Sequence, residues 1–276
     1  MPLAFGYFSG GAFRPWSGAN GRPRTVRRKL LINLSLSAII LAIGLSHVTV
    51  EIFFVTAQSA GDIHNRLALT ALYSLIFLLL PVFMLGQTVP LISNYFPRQR
   101  LPRFAGKILF FSTIGSFMGA VFCTLVLMPN VGVHHAVTVT IACLTFLTIL
   151  ISRDAFNAQV KIALCAFLLS VLLNSDMVMR MINIAHDNQY NTVEIHPSTD
   201  GTKRVMLVNN TLASAVAVDP GQRQEAIFPY IKYVDDHFIY SRGEKDPPID
   251  ILTIGAGGFT VGLNDRKNHY TFVDVD

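Results

Sequence analysis

The chain is poor in charged residues and contains very little cysteine. Only 14% of its 276 residues are Asp, Glu, Lys or Arg, whereas 51% are hydrophobic. A soluble globular domain carries about a quarter charged residues, so this composition favours a membrane protein. The three cysteines lie inside apolar runs, without CxxC or Cys/His ligand spacing, at Cys123, Cys143 and Cys165. The sequence therefore predicts neither a metal site nor a disulfide framework.

Acidic residues are scarce in the first two thirds of the chain. Before Ile182 there are four acids against fourteen Lys and Arg, and from there onward thirteen acids against eight. This asymmetry predicts two differently solvated domains. The basic residues flank apolar runs, which is typical of membrane topology signals, so we expect no nucleic-acid partner.

Long apolar runs predict an α-helical, multi-span membrane bundle over residues 30–184, behind a basic tail at residues 1–29. A helix needs about 20 apolar residues to cross the hydrocarbon core, and the fifth run is shorter than that. An interfacial helix is therefore the alternative for the fifth run. The predicted spans are Leu30–Thr56, Leu67–Phe96, Ile108–Met128, Val133–Ser152 and Ile162–Leu173. Small residues in the third span, at a spacing that lets two helices approach closely, are Ser112, Gly115, Ser116 and Gly119.

Basic segments predict the orientation. The tail, the loop at residues 97–107 and the loop at residues 153–161 carry Lys and Arg, so all three belong on the cytoplasmic side. We therefore expect an integral, multi-pass protein of a bacterial inner membrane, with its N-terminus in the cytoplasm and the lipid bilayer as a partner. The side of the C-terminal part stays open, because a fifth true span would move it across the membrane.

Two ionisable residues lie inside the first predicted span. His47 and Glu51 are at positions i and i+4 and share one helix face. An ionisable side chain at membrane depth indicates a functional site. The alternative is an interhelical hydrogen bond, or a Glu51 near the exit of the span. His134 and His135 lie at the mouth of the fourth span and are expected at the interface.

The residues after the spans show an α/β pattern. Residues 185–248 are predicted to form a β-hairpin module with a helix: alternating side chains predict three antiparallel strands, and the helix follows them at Gln222–His237. Residues 249–276 predict a strand, a glycine turn, a short helix at Phe259–Lys267 and a second strand. This is the opening unit of an incomplete Rossmann-like, methyltransferase-type α/β domain. The five predicted strands are Thr192–His196, Arg204–Val208, Thr211–Val218, Ile249–Ile254 and Tyr270–Val273.

The glycine turn and the acid after the last strand together predict a nucleoside site. Gly255-Ala256-Gly257-Gly258 follows a strand, and Asp274 comes about twenty residues past the first glycine, as in nucleotide-binding units. The alternative is a tight connection between two elements without any ligand.

The runs Tyr190–Glu194, Met206–Asn210 and Ile251–Gly258 occur in this order, with a helix between the last two. This arrangement resembles the spermidine synthase (polyamine aminopropyltransferase) family, and the hydrophobic half is similar to the membrane-bound branch of that family. The resemblance implies a transferase that moves an aminopropyl group to a putrescine-like polyamine. The donor would be decarboxylated S-adenosylmethionine, a co-substrate rather than a tightly bound cofactor.

The resemblance also implies roles for single residues. Asp274 would accept both ribose hydroxyls, with Asp276 as the adjacent acid, and Tyr190 and Asn191 would contact the substrate. Glycines let the backbone pass close to a ligand, and those that would line the nucleoside pocket are Gly255, Gly257 and Gly258.

The chain departs from the family's pattern at several positions. Gly258 stands where the family has an Asp that holds the amine, and Asn191 replaces a Gln. The family's catalytic Asp lies beyond the third and fourth strands of its domain, which this sequence does not have. No catalytic residue is therefore assigned, and we expect a fragment or a degenerate copy. An alternative is a methyltransferase-like membrane protein that binds an S-adenosyl ligand. A further alternative is a non-enzymatic transporter or scaffold that uses His47 and Glu51, and homo-oligomerisation is open in each case.

Overall fold

The computed structural model describes residues 1–13, 21–59, 65–96, 101–152, 157–188, 190–209, 211–219, 228–243, 246–255 and 257–274. The chain divides into two compact units, Met1–Val178 and Met179–Asp276. The long apolar helices lie in the first unit, and the described strands lie in the second.

The first unit is helical. Its elements are α1 (Pro2–Ala12), α2 (Gly21–Gly44), α3 (His47–Ser59), α4 (Arg66–Tyr73), α5 (Leu79–Gly86), α6 (Thr88–Tyr95), α7 (Leu101–Phe122), α8 (Met128–Ile151), α9 (Ala158–Leu173) and the start of α10 (Asp176–Met181). Two stretches, Arg66–Asn94 and Phe104–Ile151, are long and apolar enough to cross a membrane. Helix α9 is apolar but has 16 residues, just below the roughly 17 that a span needs.

The first predicted span is broken. Helix α2 ends at Gly44, α3 begins at His47, and the two are bent by 63°. Ser46 Oγ accepts a hydrogen bond from the Thr49 backbone N–H at 3.3 Å, which caps α3. The Tyr73 hydroxyl donates to the Gly44 carbonyl, a group at the helix end that needs a partner. The prediction of one continuous helix over Leu30–Thr56 is therefore wrong, because local capping interrupts an apolar run.

Two prolines alter the helices ahead of them. Pro81 and Pro129 lack an N–H, and the ring of a helical proline crowds the carbonyl four residues earlier. Those carbonyls fall inside π-helical turns at Ser74–Leu78 and Cys123–Leu127, which widen the backbone there. Gly132, with φ of 75°, then breaks α8. The break agrees with the predicted gap between the third and fourth spans.

Small residues bring the helices of the first unit together. Ala38 and Ala42 of α2 are fully buried and pack with Ile141 of α8 and Ala166 of α9. Helix α1, which the sequence did not predict, also makes a close approach, since a Cβ placed on Gly10 would lie 3.0 Å from the Gln87 Cα.

The small-residue stripe on α7 has no such neighbour. A Cβ placed on Gly115 or Gly119 would meet no atom within 4 Å among the described residues. The close helix approach predicted from that stripe is therefore not made within this part of the chain.

The second unit begins with a four-stranded antiparallel sheet in the order β1-β2-β3-β4. Its strands are β1 (Ile184–Asp187), β2 (Thr192–Pro197), β3 (Lys203–Val208) and β4 (Thr211–Ala217). The three predicted hairpin strands are confirmed as β2, β3 and β4. Strand β1 is an addition, because its four residues show no alternation that marks a strand.

The rest of the second unit holds a short helix and a parallel strand pair. Helix α11 (Pro229–Val234) continues into a π-helical turn at Asp235–Ile239. Together they overlap the predicted helix Gln222–His237 and end two residues beyond it, and residues 222–227 of that prediction lie outside the described residues. Strands β5 (Asp250–Ile254) and β6 (His269–Val273) pair in parallel, as the two predicted strands require.

The predicted helix Phe259–Lys267 is wrong. The segment forms turns, with φ of 58° at Phe259 and 64° at Gly262, both outside the right-handed helical region. Two carboxylates fix it instead. Asp235 Oδ1 accepts from the Gly262 N–H at 2.9 Å, and Asp265 Oδ1 accepts from the Lys267 N–H at 2.9 Å. Side-chain acceptors of this kind compete with helical hydrogen bonds.

Candidate functional site

The parallel strands β5 and β6 bring the glycine turn and Asp274 to one edge. Ile254 is paired with Val273, and the Gly255 N–H donates to the Val273 carbonyl at 2.8 Å. Gly255 and Asp274 are the next residues along the two strands, so both lie at the carboxyl edge of this pair. In open α/β sheets that edge is where ligands bind. Asp276, the second predicted acid, lies outside the described residues.

The turn uses its glycines for conformation and for close approach. Gly255, Gly257 and Gly258 have φ of 81°, 51° and 87°, values that L-residues rarely adopt. A Cβ on Gly258 would lie 2.7 Å from Ser214 Cβ and 3.4 Å from Met206 Sδ. The turn therefore packs directly against strands β3 and β4.

A cavity of about 310 Å³ lies at this contact. It is lined by Gly258 and by side chains of β2, β3 and β4, including Met206 and Ser214. Its volume is at the lower end of the range for small-molecule pockets, about 300–1,000 Å³. Arg204 is the charged residue in its wall, and no described acid lines it.

Ser214 contributes a polar group, its hydroxyl, to the lining of the cavity. The residue is 2% exposed, and no described residue forms a hydrogen bond with its Oγ. A buried hydroxyl normally has a partner, so this one is available to a ligand or to water in the cavity. Sequence reasoning missed Ser214 and Arg204, because both look like ordinary alternating strand residues.

The predicted substrate residues lie away from this cavity. Asn188 Oδ1 accepts from the backbone N–H groups of Tyr190 at 2.7 Å and of Asn191 at 2.9 Å. Asn209 Nδ2 donates to Asn191 Oδ1 at 2.8 Å. The two residues therefore belong to the turn between β1 and β2, and neither is among the residues that line the cavity.

Two acids that the sequence did not single out hold the loop after the glycine turn. Asp235 is 5% exposed, and burial raises its pKa although the hydrogen bond from the Gly262 N–H lowers it. Burial also acts to raise the pKa of Asp265, but hydrogen bonds from Tyr270, Lys267 and Asn268 outweigh it and lower the pKa. The Tyr270 hydroxyl donates to Asp265 Oδ2 at 2.6 Å. Both acids position the loop that joins the turn to β6.

The first unit contains a separate cluster of polar side chains. The His134 and His135 rings lie 4.1 Å apart, and His47 packs edge-on against His134 at 6.2 Å between ring centroids. Asp176 offers a carboxylate oxygen within 4.8 Å of a ring nitrogen of His134 and of His135. His47 is thus brought against a histidine 87 positions away in sequence, which no local pattern in the sequence indicates.

Comparison with protein-family models, with curated proteins and with solved structures finds no match to this chain.

Proposed function

We propose that the protein is a membrane-anchored, spermidine synthase-like transferase whose second unit binds the nucleoside of an S-adenosyl ligand. The observation that carries this is the edge where Gly255 follows β5 and Asp274 follows β6. A backbone of glycines with positive φ lets a ligand approach closely. A carboxylate beside it is a suitable acceptor for two ribose hydroxyls.

The fold in this proposal is the start of a Rossmann-like domain behind a multi-pass membrane region. The parallel pairing of β5 and β6 supports the Rossmann-like domain, since parallel strands belong to α/β sheets. The apolar stretches Arg66–Asn94 and Phe104–Ile151 support the membrane region. The predicted cytoplasmic N-terminus and inner-membrane location form part of the same proposal.

The proposed reaction is the transfer of an aminopropyl group. A neutral amine of a putrescine-like polyamine attacks the methylene next to the sulfonium of decarboxylated S-adenosylmethionine. The new C–N bond forms as the C–S bond breaks, methylthioadenosine leaves with the electron pair, and the amine gives up a proton. Such a step requires carboxylates near the cationic substrate and a base for the proton.

Arg204 favours a second candidate, a methyltransferase-like site for S-adenosylmethionine itself. That ligand has an α-carboxylate, which its decarboxylated form lacks, and a guanidinium is a strong carboxylate partner. A cavity wall with Arg204 and without a described acid suits an anionic group better than a polyamine.

Equilibrium dialysis of the full chain in lipid nanodiscs tests the nucleoside site. The probes are S-adenosylmethionine, its decarboxylated form and methylthioadenosine. We expect Asp274→Asn to weaken all three by about tenfold or more, since a charged hydrogen bond contributes about 1.5–3 kcal/mol. Asp250→Asn, at the amino end of the same strand pair, should leave binding unchanged. Wild-type protein that binds none of the three would refute the proposal.

Arg204→Gln separates the two candidates. If Arg204 holds a carboxylate, this variant weakens S-adenosylmethionine alone, and Lys203→Gln does not, because neighbouring strand residues point to opposite faces. Tighter binding of the decarboxylated form by the wild type, with spermidine and methylthioadenosine formed from putrescine, favours aminopropyl transfer. Transfer of a methyl group with release of S-adenosylhomocysteine favours the methyltransferase.

A further inference from the structure

We propose that His134, His135 and Asp176 bind a divalent transition-metal ion of the zinc class in the first unit. Each of the three residues offers one ligand atom, and these atoms all lie within 4.8 Å of one another. This site is independent of the nucleoside site of the second unit.

The break in α8 places the two histidines side by side. Neighbouring residues inside a regular helix project about 100° apart, which would separate two imidazoles. His134 and His135 instead occupy the first turn after Gly132, whose φ of 75° interrupts the helix. Their rings lie 4.1 Å apart, and His47 packs edge-on against His134, which restricts the orientation of that ring.

Hydrogen bonds between α8 and α9 hold Asp176 near these rings. The Thr138 and Ser170 hydroxyls are 3.2 Å apart, and Thr138 Oγ1 lies 3.4 Å from the His134 carbonyl. Asn174 Nδ2 donates to both hydroxyls, at 3.3 Å and 3.2 Å. Asp176 follows Asn174 by two residues, so the same contacts fix the segment that presents its carboxylate.

Asn174 supplies a second observation at this end of α9. It is 2% exposed, and no described residue donates to its Oδ1. A buried acceptor without a partner is uncommon and indicates an unseen donor. Water bound to a metal ion beside Asp176 is a donor of the required kind.

The donor set selects the kind of ion. Two imidazoles and one carboxylate suit zinc and related transition metals, whereas calcium and magnesium prefer oxygen ligands alone. Ligand atoms of a tetrahedral zinc ion lie about 3.3 Å apart, since each is about 2.0–2.2 Å from the metal. The three donors would therefore close by at most about 1.5 Å, a movement within the reach of side-chain rotation.

Metal binding is tested on the full chain in nanodiscs, purified with a tag that contains no histidine. Chelator-stripped protein is titrated with Co²⁺, followed by its visible d–d absorption, and with Zn²⁺ against a chromophoric chelator. We expect one high-affinity ion per chain and a rise in melting temperature on its addition. His135→Ala and Asp176→Asn should each weaken binding by at least tenfold, whereas His237→Ala, in the second unit, should not.

Asp176→Asn keeps the size of an exposed side chain, so its metal-free melting temperature should match that of the wild type. Equal Zn²⁺ affinity in the wild type and in the His135→Ala/Asp176→Asn double variant would overturn the proposal. So would the absence of a stoichiometric ion in the wild type. Nucleoside binding serves as an internal check, because the metal variants should leave it unchanged.

Discussion

Replacing Gly258 by alanine adds one methyl group where the glycine turn meets the hairpin. The backbone φ is 87°, and an L-residue held in the left-handed region costs about 1–2 kcal/mol. The new Cβ would lie 2.7 Å from Ser214 Cβ, well inside the ~3.5–4.0 Å at which carbon atoms attract each other. Ser214 is buried in a paired strand, so the backbone must shift, and overpacking costs about 1–3 kcal/mol. We therefore expect Gly258→Ala to lower the local free energy of unfolding by roughly 2–5 kcal/mol.

Gly201→Ala is the matched control. Gly201 also has positive φ, 69°, but a Cβ placed on it would meet no described atom within 4 Å, so this variant carries the conformational cost alone. The difference between the two variants isolates the contact with Ser214. Hydrogen exchange measured by mass spectrometry on the full protein in nanodiscs gives the opening free energies of β3 and β4 directly.

The contact can also be tested by removing its other side. Ser214→Gly deletes the Cβ that the new methyl group meets, so the Gly258→Ala/Ser214→Gly double variant should recover about 1–3 kcal/mol relative to additivity. The reasoning is refuted if Gly258→Ala costs no more than Gly201→Ala. Additivity of the two substitutions within about 0.5 kcal/mol would refute it as well.

Three further predictions concern packing, a buried amide and pH. Gly10→Leu should detach α1, because a Cβ there lies 3.0 Å from the Gln87 Cα, whereas a Cβ on Gly11 meets no described atom within 4 Å. Faster hydrogen exchange in α1 for Gly10→Leu, but not for Gly11→Leu, would confirm this. Gln87→Leu removes the acceptor that Asn33 Nδ2 reaches at 3.0 Å and should cost about 1–3 kcal/mol, measured as a lower thermal stability; an unchanged melting temperature would contradict it. Burial raises the folded-state pKa of Asp235, so the folded state holds more protons between the ordinary Asp pKa and that raised value. The free energy of unfolding should therefore fall as pH rises through this window. Urea unfolding at a series of pH values measures this dependence, and Asp235→Asn should remove it. An equal pH dependence in the variant would exclude Asp235 as the cause.

Local patterns in the sequence are sufficient for the elements that depend on local chemistry. Apolar length predicts the helical stretches Arg66–Asn94 and Ala158–Leu173 to within a few residues, because a long uninterrupted apolar run is itself the signal for a helix of this kind. Alternation of apolar and polar side chains predicts strands β2 to β4, because successive residues of a strand face opposite sides of the sheet. The glycine turn is also predicted, because glycine readily adopts the positive φ that is observed at Gly255 after β5.

Features that depend on distant partners are not predictable in this way. The bend after Gly44 depends on Tyr73, which donates to its carbonyl from another helix. The loop at residues 259–267, which the sequence predicts as a helix, depends on Asp235. That carboxylate lies 27 residues before Gly262, whose N–H donates to it. The same holds for the histidine cluster, because His47 and His134 belong to different helices and meet only after the chain has packed.

Glycines on two helices, α1 and α7, show why small residues alone do not determine a contact. On α1, Gly10 lies against Gln87, and the Asn94 side chain donates to the Gly10 carbonyl at 3.2 Å. On α7, Gly115 and Gly119 have no described neighbour, and Phe111 and Phe122, which share their helix face, are 70% and 50% exposed. Small residues permit close approach, and a hydrogen bond such as the one from Asn94 adds to the packing that holds two helices together in lipid. The face of α7 has apolar rings in place of such a partner, which suits contact with hydrocarbon chains.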